Sequence, residues 1–343
     1  MIKLAIGVKI LKTRYPNCLR ALSLYVFYFR VLIFSLSLLS AQANSTPLFP
    51  IKENGKYGFI NNQGEIVIPL KFDNTWGFSE GFAAIFVENR WGFIDTLGRY
   101  PITPQYEWAE NFSDSMARVW IENKIGFINK DGKLIIKPKY TEAGNFSEGL
   151  ARVVVNNKYG YIDKTGKIVI KPQYDWADDF SQDLAVVRMA NKYGYINKNG
   201  DYAISLFFDW AQKFSEGMAC VKKNEKYGYI VKSGEYAIIP QYDEAGDFHE
   251  RLARIKTNNR WGYIDKTGKL VIKPQFDWAD DFAQERAAVK TSKKYGYIDK
   301  TGKIVIKAQY DEAESFINGL AKVKISKKWH YIDKSGRVIW ESK

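Results

Sequence analysis

From Leu48 to the C-terminus the chain repeats one rhythm of apolar and polar positions. The stretch "NNKYGYIDKTGKIVIKPQYDWADDFSQ" at 156–182 returns at 258–284 as "NNRWGYIDKTGKLVIKPQFDWADDFAQ". Within each copy the apolar residues alternate and are mostly β-branched or aromatic, a pattern that predicts strands rather than helices. Ala83, Ala117, Ala151, Ala185, Ala219, Ala253, Ala287 and Ala321 are each followed two residues later by Val or Ile. Residues i and i+2 share one face of a strand, so these positions mark a buried face. The alternate positions vary (Arg152, Val186, Cys220, Arg254, Lys322) and are therefore expected to look outward. A turn at Asn156-Asn157, where Asn tolerates positive φ, leads into a second strand. "DKTG" at 163–166 then connects to a third, with Asp folding back on its own backbone and Gly closing the turn.

Two glycine series fix the period. Gly58, Gly92, Gly126, Gly160, Gly194, Gly228, Gly262 and Gly296 are evenly spaced, with His330 in the ninth place, and a second series of the same spacing runs from Gly64 to Gly336. A helical repeat of the same length would need two amphipathic helices and a W-x₂-L-G framework, which the alternation excludes. The expected fold is an all-β tandem repeat of about nine 34-residue units, each a three-stranded antiparallel meander. Between units, an aromatic (Phe72 to Tyr310) and a Phe six positions on (Phe78 to Phe316) are expected to lock neighbours together. An open β-solenoid or superhelix is the expected arrangement, with a closed propeller-like ring as the alternative. A unit of this length is short for a four-stranded blade of roughly 40–45 residues. The last unit, with His330 for Gly and Trp340 where others have Ile170 or Ile306, reads as a terminal cap. Closure would require the strand near Leu48 to meet the last hairpin.

The repeated "KYGYIDKTGKIVIKPQYD", with the variants "RWGFID" (90–95) and "RWGYIDKTGKLVIKPQFD" (260–277), resembles the WG (KWG) repeats of bacterial proteins over almost all of 48–343. Tyr57, Tyr159, Tyr193, Tyr227 and Tyr295 stand in place of the Trp, and Ile125 in one copy, all keeping a bulky apolar group. The resemblance implies a repetitive β fold and brings no catalytic residues with it.

Composition changes the picture at the N-terminus. Residues 1–43 carry Lys3, Lys9, Lys12, Arg14, Arg20 and Arg30, no acidic residue, the apolar run "VLIFSLSLLS" at 31–40 and then Ala41-Gln42-Ala43. That order is expected of a cleaved signal peptide, leaving 44–343 as an exported array, periplasmic, cell-surface or extracellular. The alternative is an uncleaved anchor starting at Ala21, the one route to membrane attachment that the segment offers. It would bury Arg30 at a cost of roughly 2.5–3.5 kcal/mol. No Cys follows the expected cleavage site, which argues against a lipoprotein. The chain's net charge of +13 includes those six basic residues, so 44–343 carries +7. Lys and Arg interleave with Asp and Glu rather than cluster, which argues against nucleic acid as a partner. Cys220 is the single cysteine beyond the leader, so no disulfide framework or cysteine metal site is possible there.

Enzyme chemistry needs a unique converging set of groups. His249 and His330 are the two histidines of the chain, and no nucleophile motif, phosphate-binding loop or spaced metal ligands accompany them. Asp178-Asp179 and Asp280-Asp281 are paired acids whose counterparts elsewhere are Gln212-Lys213 and Gly144-Asn145, so no acid–base pair recurs in every unit. Carboxylates from different units meeting in space, as in a glycosidase, stay as the remaining catalytic alternative. The chain is expected to be a non-catalytic binding module without cofactor or metal. Its expected ligand surface is a row of exposed rings at Trp108, Trp176, Trp210 and Trp278, suited to a cell-envelope glycan or polysaccharide. The competing expectation is a protein-interaction scaffold using Arg118, Arg152, Arg254 and Lys322 on an outward face.

Overall fold

A computed structural model describes residues 46–343, so the expected signal segment, 1–43, lies outside the described residues. These residues form nine small antiparallel sheets, in chain order, arranged as the blades of a nine-bladed propeller. Blade five is representative: Trp176–Ala177, Ala185–Met189, Lys192–Ile196 and Tyr202–Phe208 pair in that order. The repeat is thus the expected meander with one addition, a short strand contributed by the linker (a single bridge, Ala143 to Val153, in blade four and, among the described residues, not present in blade one, whose sheet is three-stranded). The turns follow the sequence. Asn156 and Asn157 take φ of 49° and 60°, and Asp163 Oδ1 accepts from the amides of Thr165 (2.9 Å) and Lys167 (3.1 Å).

The short strand lies nearest the axis. In a ring, copies of one position approach most closely at the smallest radius. Ser79 Oγ donates to Phe112 O at 2.8 Å, Ser113 to Phe146 O at 2.8 Å and Ser147 to Phe180 O at 2.7 Å, each bond joining near-equivalent positions of successive blades. The long last strand of each blade is outermost, and its free edge would invite pairing with another chain. Prolines 69, 138, 172, 240 and 274 sit in these strands and remove a donor from the edge.

The core lies between blades. Leu184, Val186, Tyr195, Ile204 and Phe208 of blade five pack on Ala211, Phe214 and Val221 of blade six and its linker. The aromatic pegs read from the sequence therefore do lock neighbours. The other gap-filling contact is the turn glycine of each unit, which seats on an isoleucine of the preceding blade. A Cβ at Gly166 would lie 3.2 Å from Ile136, and one at Gly200 3.1 Å from Ile170.

That contact also decides between the two arrangements. Gly64 of blade one seats on Ile339 of blade nine, where a Cβ would come within 2.3 Å of its carbonyl oxygen. Tyr331 Oη donates to Pro50 O at 3.0 Å across the same junction. The ring is closed, and the open solenoid gives way to its alternative. So short a repeat can still make a four-stranded blade because the innermost strand is a dipeptide such as Trp176–Ala177 in six of the nine blades; in blade seven it is longer, Glu244–His249. The last unit's departures serve the junction instead of capping an open end. Trp340 packs with Tyr331 and Phe49, and Phe49 stands where the other units have Ala.

Candidate functional site

The linker position after each outer strand carries the expected row of tryptophans, and the structure treats its members differently. Trp176, Trp210 and Trp278 are half-buried, packing on Tyr193, Tyr227 and Tyr295 at centroid distances of 6.0, 5.6 and 5.5 Å and joining inter-blade cores. Trp108 is 39% exposed. These three do not form a continuous platform with Trp108, because each ring lies over the tyrosine of its own blade.

Trp108 instead meets a second exposed ring that the sequence reading passed over. Trp76, 41% exposed, stacks on buried Trp91 at 6.0 Å and 17° and meets Trp108 edge-on at 5.9 Å. Its indole nitrogen donates to Ala109 O at 3.1 Å, fixing the ring across the junction of blades two and three. With Glu110, Asn111 and Asn145 the two rings line a cleft of about 330 Å³. The polar groups are held in place. Asn111 donates through Nδ2 to Gly77 O at 2.6 Å and accepts from the Ala84 amide at 3.2 Å. Arg118 donates through Nε to Asn145 Oδ1 at 2.9 Å, pairs with Glu110 and Ala143 O, and lies 5.6 Å from the Trp120 ring. Trp76 was legible as a departure: its counterparts include Glu110, Gly144, Asp178, Gln212 and Gly246, so a tryptophan there breaks a polar or glycine series.

The positions beside the buried Ala–Val face, expected to look outward, instead face the next blade. Val186 is fully buried and Cys220 is 1% exposed. Arg152 reaches Asp178 and Asp179 of blade five at 3.0 and 2.8 Å. Arg254 lies 3.0 Å from Asp281 and donates to Ala279 O at 2.8 Å. Lys322 lies 4.2 Å from the Trp329 ring and 3.6 Å from Glu314 of its own blade, and borders the junction with blade one beside Lys52 and Tyr57. Neighbouring blades cover both faces of these small sheets, so alternation cannot leave one face in water. Gly144 and Gly246 make room for the two guanidinium groups: a Cβ there would lie 2.6 Å from the side chain of Arg152 or Arg254. The paired acids thus serve as inter-blade partners of arginine.

Burial raises carboxylates between blades, and most where the cation is missing. Cys220 replaces arginine opposite Asp247, and burial, with Asp281 adding to it, pushes the Asp247 carboxyl up to about 6. Burial also raises Asp281 and Asp179, each against the pull of its arginine. Burial raises the Cys220 thiol well above its usual value, leaving it an unreactive core group. Among the described residues no cluster of His, Cys, Asp and Glu is arranged to hold a metal ion.

A closed ring of near-identical blades with a preformed aromatic cleft is the architecture of a β-propeller binding or scaffold module. The sequence matches the family described as WG containing repeat over 57–91, 91–124, 125–159, 159–193, 193–227, 227–261, 261–295 and 295–329, and the chain belongs to that family. No protein of curated function matches the sequence. Among solved structures, one described as a eukaryotic initiation factor is similar over 87% of this chain and 96% of its own, at 13% identity and a TM-score of 0.62. Dihydro-heme d1 dehydrogenase NirN shares 11% identity over 88% and 74% of the two chains, at a TM-score of 0.48. BamB from Moraxella catarrhalis shares 9% over 79% and 88%, at 0.41. At such identities the first likeness is one of fold alone.

Proposed function

We propose that the protein is an exported carbohydrate-binding propeller that takes a cell-envelope glycan or other polysaccharide in the Trp76–Trp108 cleft. The observation that carries this reading is the pairing of two exposed indoles with an oriented carboxylate and two oriented amides. Ring faces accept the apolar C–H faces of sugars, while Glu110, Asn111 and Asn145 match hydroxyl and acetamido groups; few, fixed polar groups on an aromatic floor are the usual design of a ligand site. Export rests on the basic, apolar and small-residue order of 1–43.

Titration of intrinsic fluorescence with peptidoglycan fragments and soluble polysaccharides tests the site. Saturable quenching is expected, weakened about thirtyfold or more in Trp76→Ala and Trp108→Ala and unchanged in Trp210→Ala. Binding that survives both cleft substitutions in a folded protein overturns the assignment. Export is tested by N-terminal sequencing of protein recovered outside the cytoplasm, with Asn44 as the expected first residue; an intact Met1 there would remove cleavage from the reading.

A further inference from the structure

The interleaving of Lys and Arg with Asp and Glu expected along the chain fails on the outer strands, where the positive charge of the array gathers. The nine segments that begin after each turn glycine and run along the outer strand (65–72 and its counterparts in register, ending with 337–343) hold thirteen Lys or Arg and four Asp or Glu, while the rest of 44–343 holds 32 and 34. The whole excess therefore sits on the outer rim. It concentrates where adjacent outer strands contain no acid: "KLIIKPKY" with "KIVIKPQY" on blades three and four, and "KLVIKPQF" with "KIVIKAQY" on blades seven and eight.

In the first pair Lys133, Lys137, Lys139, Lys167 and Lys171 are all exposed, and among the described residues none lies within 4.0 Å of a carboxylate. Between them stand Leu134, Ile135, Ile168 and Val169, 36–45% exposed. Gly166 seats on Ile136, which joins the two strands into one surface. Leu270, Val271 and Ile304, 41–49% exposed, repeat the pattern on blades seven and eight.

Three features narrow the partner. Unpaired lysines without acids select an anionic surface. Prolines 138, 172 and 274 interrupt the strand edges, which disfavours a peptide adding as a further strand. Exposed aliphatic side chains among the lysines gain nothing from a polyanionic polymer in water but are stabilised at a bilayer interface, where charge attraction and apolar burial act together. We propose that the outer strands of blades three and four, and equally those of seven and eight, dock on an anionic lipid bilayer.

The closed ring Pro47–Lys343 contains all nine cores within itself and is the unit to test, free of the leader. Flotation with phosphatidylglycerol vesicles is expected to capture it, with binding weakening as salt rises, and phosphatidylcholine vesicles to leave it behind. Two variants separate the sources of affinity. Lys133→Gln, Lys171→Gln, Lys269→Gln and Lys307→Gln together remove two lysines from each face and should lower vesicle affinity by about thirtyfold, at roughly one kcal/mol per lysine. Ile135→Ser, Val169→Ser, Val271→Ser and Ile304→Ser together keep the charge and should lower it at least about tenfold, with heparin binding unchanged. The proposal is overturned if the wild-type ring does not float with anionic vesicles, or if the serine variant binds them as well as wild type does. Neither result bears on the cleft, which fluorescence reads separately.

Discussion

At the residue scale, the glycine in the second strand of each meander, such as Gly160, present in all blades but the ninth, is the most constrained position of the repeat. The outer strand bulges over it, pairing Tyr159 with Tyr174 and Tyr161 with Ile170. A Cβ at Gly160 would stand 2.5 Å from Ile170 O and 2.6 Å from Pro172 N. Backbone cannot retreat as a flexible side chain can, so Gly160→Ala should cost about 2–4 kcal/mol in chemical denaturation. Lys167→Ala, on the exposed rim, should cost less than about 0.5 kcal/mol. Asp247 carries the opposite kind of strain. Its carboxyl titrates near 6 in the folded ring and near 4 in the unfolded chain. Below pH 4 both states hold the proton; above pH 6 both lose it and the fold retains a buried charge. This group therefore removes stability as pH rises from about 4 to about 6. Asp247→Asn should stabilise by roughly 1–3 kcal/mol at pH 7 and little at pH 4. Melting both proteins across that range checks it, and a constant difference would refute the assignment.

At the element scale, the sequence disclosed the strands and turns because those depend on neighbours along the chain. Alternation marked the buried Ala–Val face, and Asn-Asn and Asp-x-x-Gly marked the turns. It did not disclose that the opposite face of that strand is also covered. Arg152 and Asp179 belong to successive units and meet because blade five packs on blade four. The same sequence offset joins Arg254 to Asp281, so an arginine followed by paired acids was a readable signal once two-sided packing is allowed. Arg152→Ala would strand two partly buried carboxylates and should cost about 1–3 kcal/mol. Adding Asp178→Asn and Asp179→Asn should return most of that loss if the three act as one unit.

At the scale of the whole molecule, eight junctions carry the linker pegs, from Phe72 with Phe78 to Tyr310 with Phe316. Among the described residues the ninth, between blades nine and one, has none and relies on Phe49, Ile51, Leu320, Tyr331 and Trp340. A recess of about 110 Å³ remains there, bordered by Lys52, Tyr57, Lys322 and Trp329. This junction should open first. Amides of Phe49–Glu53 and Val338–Glu341 are expected to exchange faster than those of the corresponding strands in blades four to six. Trp340→Ala should widen that gap and lower the melting temperature, whereas uniform exchange around the ring would show the junction to be no weaker than the others.

The sequence by itself determined the repeat, its strand and turn chemistry and the aromatic pegs, because these are local patterns copied at a fixed spacing. Tertiary structure alone decided closure, the grouping of Trp76 with Trp108, and the burial of Arg152 and Arg254 between blades. Closure depends on a small rotation per blade summed around the ring, a quantity that no single repeat encodes visibly. The cleft arises at the one junction where Trp76, a departure from the repeat, falls beside the tryptophan of the next linker; the two belong to different units and only blade packing brings them together.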